Sequence, residues 1–122
     1  MGKLTTHVLN VAAGIPAAGM RVELRGAGTP SKAVVDMPLM GAAQTNDHGR
    51  CAMPLIEGAA FGAGRYALTF HVGAYFSALG YKLPEPPFLD EVVIAFGVAD
   101  PREDYHVPLL VSPWSYSTYR GS

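Results

Sequence analysis

The chain has little with which to bind a polyanion, hold a metal or cross a membrane. Its 122 residues carry one cysteine, one tryptophan and a near-balanced 9 Lys+Arg against 10 Asp+Glu, for a net charge of −1. A single cysteine excludes an internal disulfide and gives no sign of an oxidising compartment. No basic run is present and no Lys/Arg interleave with exposed aromatics, so nucleic acid is not an expected partner. No apolar run approaches the ~20 residues of a membrane span. The first residues lack the apolar core of a signal peptide, and the expected location is cytoplasmic. Four histidines and one cysteine do not fall at zinc-ligand spacing such as paired Cys-x-x-Cys. Neither a metal nor a cofactor is expected.

What is present is strand periodicity. Met20–Arg25 alternates apolar and charged residues. In Arg65–Val72, the residues Tyr66, Leu68, Phe70 and Val72 share one face. Val92, Ile94, Phe96 and Val98 repeat the pattern, as do Tyr105, Val107, Leu109 and Val111. Gly/Pro clusters at 14–19, 26–30, 58–64, 84–87 and 100–101 separate these runs. Short, regularly spaced strands predict an all-β sandwich or barrel. Ala74–Leu79 is the one helical stretch. Ala33–Met37 reads as an edge strand, cut short by Pro38 and Gly41. The length gives one domain over residues 1–122, enough to bury roughly two-thirds of its unfolded surface.

Several residues on this frame could carry chemistry. His106 points away from the core with Pro108, Leu110 and Ser112, because the odd positions of its strand are apolar. That outward face is half apolar and suits cover by a second subunit. On these residues alone an inert interface histidine is the favoured reading of His106. His7 shares a face with Leu9 and Val11, and spacing alone does not place it near His106. Arg50 follows the turn residues Asn46, Asp47 and Gly49 and begins the next strand. By itself it reads as a solvated charge. Cys51, at the start of the same strand, reads as a small hydrophobe. His48 is turn surface and His71 a sheet-face residue. At the chain end Ser115, Ser117 and Tyr119 share one face of an edge strand suited to pairing between subunits.

Two segments carry a resemblance. Tyr105-His106-Val107-Pro108-Leu109-Leu110, with the ending Tyr119-Arg120-Gly121-Ser122, resembles the C-terminal signature of the 5-hydroxyisourate hydrolases, transthyretin-related enzymes of urate breakdown. Thr6-His7-Val8-Leu9, followed by Gly14-Ile15-Pro16-Ala17 and Gly19, resembles their N-terminal signature. Asn10 stands where the family usually has Asp, and Asp104 where it often has another His. Thr45, Asn46, Gly49 and Arg50 match the segment that supplies a site arginine. The resemblance spans residues 4–26, 45–57, 65–76 and 86–122.

It implies a transthyretin-like two-sheet β-sandwich of seven to eight strands with one short helix. It implies a homotetramer, a dimer of dimers, with sites at the mouths of an inter-subunit channel. The implied reaction opens the six-membered ring of 5-hydroxyisourate at its amide bond. The product is 2-oxo-4-hydroxy-4-carboxy-5-ureidoimidazoline, in purine degradation. His7 and His106 would act on water, Arg50 would bind carbonyl and stabilise charge, and Ser122 would lie near the reacting atoms. Tyr119, Arg120 and Gly121 would hold substrate together with His7 and Arg50. Two alternatives stay open: a non-catalytic transthyretin-like carrier using the same channel, and a structural β-sandwich module.

Overall fold

The apolar alternation resolves into two packed sheets in the computed structural model, which describes residues 2–28 and 33–121. The first sheet is built on β1 (Lys3–Asn10) and β8 (Tyr105–Val111), which run parallel side by side. β2 (Ile15–Pro16) and β5 (Ile56–Glu57) pair with the outer edge of β1, and β9 (Tyr116–Thr118) pairs with β8. The second sheet is antiparallel. Its strands β3 (Arg21–Gly28), β4 (Leu39–Gln44), β6 (Gly64–Phe70) and β7 (Val92–Val98) lie in the order β4-β3-β6-β7.

The core forms where the inner faces meet. β1 contributes Leu4 and Val8; β8 contributes Tyr105, Val107, Leu109 and Val111; the opposite sheet contributes Val22, Leu24, Tyr66, Leu68 and Phe70. All are buried. At roughly 25 cal/mol per Å² of apolar surface, this burial is the main term holding the sheets together.

Two local expectations need correction. The helix α1 is Val72–Ala78, two residues earlier at its start than Ala74. Val72, Tyr75 and Phe76 sit at i, i+3 and i+4 and are all buried, so the helical stripe begins at Val72 and the strand before it ends at Phe70. Ala33–Met37 is not an edge strand. Val34–Asp36 form a single 3-10 turn, and the edge strand β4 begins only after Pro38. Pro38 has no N–H for a ladder, but its carbonyl accepts from Gly26 N–H at 3.2 Å, which hands the chain into β4.

Arg50 and Cys51 also differ from expectation. Arg50 forms one isolated bridge to His7, and no strand follows until β5. The edge of β1 is covered piecemeal: β2 pairs at Leu9–Asn10, Gly49 carbonyl accepts from Val8 N–H at 2.8 Å, and β5 pairs at Lys3–Leu4. From His7 to Leu4 the strand takes three steps, while the covering segment takes six from Arg50 to Ile56. The surplus at Cys51–Pro54 bows off the sheet.

Gly26 shows how closely the second sheet is packed. It faces Tyr66 across the β3–β6 ladder, and a Cβ there would collide with the buried Tyr66 ring. That ring is fixed by its hydroxyl, which donates to the Gly62 carbonyl at 2.7 Å. Gly26→Ala should therefore destabilise the fold by about 1–3 kcal/mol, read as a lower urea midpoint. An unchanged midpoint would mean that the ring has room to move.

Candidate active site

The parallel pairing of β1 with β8 sets Thr5 opposite His106, His7 opposite Pro108 and Leu9 opposite Leu110. These residues share the face turned away from the core, because Leu4, Val8, Val107 and Leu109 point the other way. His7 and His106 thus stand on neighbouring strands, offset by two residues or roughly 7 Å along the sheet. Sequence spacing could not bring them together; this ladder does.

Arg50 reaches the same place through its bridge to His7. The turn before it is tied by hydrogen bonds to one side chain. Asn46 Oδ1 accepts from the backbone N–H of His48 and of Arg50, at 2.9 and 3.2 Å. Gly49 adopts φ +76°, and a Cβ there would run into the Val8 carbonyl, so glycine is required both by conformation and by the close approach of β1.

The bow at Cys51–Pro54 opens a cleft of about 400 Å³ beside these residues. Its wall includes Thr5, Arg50, Cys51, Met53, Asp104 and His106. Cys51 is half-buried, and burial pushes its thiol up from the usual value, so it stays a neutral thiol. Among the described residues no group of His, Cys, Asp or Glu is placed to hold a metal ion. His48 is exposed in its turn. His71 is not a sheet-face residue: it lies just after β6, at the N-cap of α1, with Nε2 2.7 Å from Glu23 Oε1.

The end of the chain closes the site from the β8 side. Gly121 N–H donates to the His106 carbonyl at 2.8 Å. A Cβ on Gly121 would come within 2.6 Å of His106 Cδ2, so the bare backbone packs closely against the imidazole. The β8–β9 ladder and the His106–Gly121 bridge keep one register, which sets Tyr119 opposite Pro108 on the His106 face, largely exposed. Ser122 lies outside the described residues.

Arg120 departs from its expected place among the substrate-holding residues. It falls on the opposite face, with its guanidinium 4.0 Å over the Tyr105 ring. It donates to Glu103 Oε1 at 3.0 Å and to the Asp104 carbonyl at 3.2 Å. Strand alternation between Tyr119 and Gly121 is the physical reason. Thr5, by contrast, was not anticipated. Its Oγ1 lies 2.8 Å from His106 Nδ1. Its sharing a face with His7 was the available signal, but only the β1–β8 register turns that into contact with His106.

Both imidazoles are held below the usual histidine range. For each the larger cause is burial, and the positive charge of Arg50 adds to it. His106 feels His7 as well, and a hydrogen bond between the His7 ring and the His48 main chain works the other way. Near neutral pH the site therefore holds two uncharged imidazoles beside a permanent cation. One can take a proton, and the guanidinium can face a developing negative charge.

The HIUase/Transthyretin family model matches residues 4–121. A 5-hydroxyisourate hydrolase of Ralstonia nicotianae is 52% identical over 126 residues, covering 100% of both chains. The solved 5-hydroxyisourate hydrolase of Klebsiella pneumoniae superposes with a TM-score of 0.78 at 31% identity, covering 100% of both. A solved (S)-allantoin synthase superposes with a TM-score of 0.89 at 45% identity, covering 99% of this chain and 44% of that one.

The pH behaviour follows from the lowered pKa values. The unfolded chain takes up protons at these two rings first, so their contribution to stability is complete above pH of about 6.5 and falls as pH drops through the folded values. Arg50→Gln should raise both pKa values toward the ordinary one without reaching it, since burial remains. An NMR titration of the two imidazoles measures this; unmoved values would show that Arg50 does not act on them.

Proposed function

The chain belongs to the HIUase/transthyretin family, and from that premise we propose that it is a 5-hydroxyisourate hydrolase of urate degradation. The observation that carries the reading is the meeting of His7, Arg50 and His106 on the outer face of β1 and β8, where Arg50 and His106 line one cleft and His7 stands beside it, bridged to Arg50. Ring-opening hydrolysis needs a group that accepts a proton from water near pH 7, a cation at the carbonyl oxygen and a cradle for a flat ring. A neutral imidazole pair serves the first need. Arg50 serves the second and, with its planar fork, part of the third. Water oxygen adds to the ring amide carbon, the C–N bond breaks, and the displaced proton goes to the leaving nitrogen. This yields 2-oxo-4-hydroxy-4-carboxy-5-ureidoimidazoline.

In this reading Tyr119 and Gly121 border the substrate, and Ser122 lies beyond them near the reacting atoms. Arg120 acts on the tail and not on the ligand. The carrier alternative would use the same face, but it has no use for two neutral imidazoles beside a guanidinium.

The reading includes a homotetramer, a dimer of dimers, whose subunits cover this outer face. It is supported by the apolar character of the face, where Leu9 and Leu110 are only partly covered and Val11 and Ile15 beside β1 are about half exposed. The reading also places the protein in the cytoplasm.

The direct test follows the ultraviolet decay of freshly made 5-hydroxyisourate. The protein should accelerate it in proportion to its concentration. His7→Ala and His106→Ala should each lower turnover by about 10²-fold or more while the thermal transition stays in place. Arg50→Lys should fail to restore activity, because Lys keeps the charge and loses the bidentate fork. Decay at the spontaneous rate with wild-type protein would refute the assignment.

A further inference from the structure

The contact between Thr5 and His106 carries more than packing. Among the described residues it is the only side-chain hydrogen bond of either partner. A hydroxyl has one hydrogen to place and rotates to place it well. If Thr5 accepted an N–H from the ring, its own hydrogen would find no protein acceptor among the described residues and would have to turn to water in the cleft. If it donates to Nδ1, both groups are satisfied. Nδ1 is then bare, and a neutral imidazole with a bare Nδ1 carries its proton on Nε2. The ring is also hemmed in on one side, since the Gly121 backbone packs closely against it.

We propose that Thr5 is a positioning residue that donates to His106 Nδ1, locks the ring as its Nε2–H tautomer, and so makes His106 the hydrogen-bond donor to bound 5-hydroxyisourate. The proposal rests on the hydrolase reading above. It divides the labour of the two histidines: His106 offers a proton to an oxygen or to the leaving nitrogen, and His7 accepts one from water. The backbone enforces the arrangement, because Thr5 and His106 are direct partners in the parallel ladder. No change of rotamer elsewhere is needed to keep them in contact.

The test combines nitrogen-15 NMR of the full-length wild-type protein with kinetics of two variants. At a pH where both rings are neutral, His106 should show a protonated Nε2 and an unprotonated Nδ1. Thr5→Val keeps the side-chain shape and the strand preference but removes the hydroxyl. It should give a mixed tautomer and lower kcat by about tenfold, with KM within about threefold. Thr5→Ser restores the donor and should recover the tautomer and most of kcat. A protonated Nδ1 in the wild-type protein overturns the proposal whether or not the variants fold. So does Thr5→Val at wild-type kcat. His106→Ala separates the two layers. If it is inactive while Thr5→Val is normal, only the role of Thr5 falls; if it turns over normally, the reading of the site falls with it.

Discussion

The parallel pairing of β1 with β8 is the contact on which the rest depends. It joins residues about a hundred positions apart, Leu4 with Tyr105 through Asn10 with Val111. Its register is set by the core. Leu4, Val8, Val107 and Leu109 must all face inward, and a slip by one residue would turn every one of them out. The same alternation that buries these four side chains puts Thr5, His7 and His106 on the opposite face. The hydrophobic effect thus fixes the geometry of a polar site that it does not itself line.

The cleft depends on a local mismatch in length. Arg50 is pinned to His7 and β5 to Leu4, and the extra residues between them bow away from the sheet. That bow leaves room beside Thr5 and His106, walled by Cys51 and Met53. Partial burial lowers the proton affinity of both imidazoles, for His106 in this hollow, and Arg50 lowers it further. Shape and charge therefore have one origin, an irregular edge on an otherwise regular strand.

Much of this was legible from residue order. Alternation alone marked β6, β7 and β8 and set His106 facing outward. Turn residues marked the approach to Arg50. The partners of β1 were not legible, because a period of two says which way a side chain points and not which strand lies beside it. Family resemblance supplied the meeting of His7 with His106 and Arg50 where spacing could not. It did not foresee the face that Arg120 takes, since a contiguous ending suggested four residues on one side. Alternation within that ending sends Arg120 to the Tyr105 ring and leaves Tyr119 and Gly121 on the histidine face. The helix start at Val72 was missed because packing against the core, more than local propensity, decides it, whereas Val34–Asp36 bury nothing and form a 3-10 turn in spite of their β-branched residues.

The tail links the two halves of the account, since it is held on one face of β8 and completes the site on the other. Arg120 stacks on Tyr105 and ties to Glu103, and the next residue lies against His106. Little apolar surface goes with it, so removing it should spare the core. The most direct test is to delete residues 119–122 and measure size, melting temperature and 5-hydroxyisourate decay on one preparation. The account predicts an intact assembly that melts near the parent temperature and leaves the substrate to decay at its spontaneous rate. A truncated protein that hydrolyses substrate at the parent rate would contradict it.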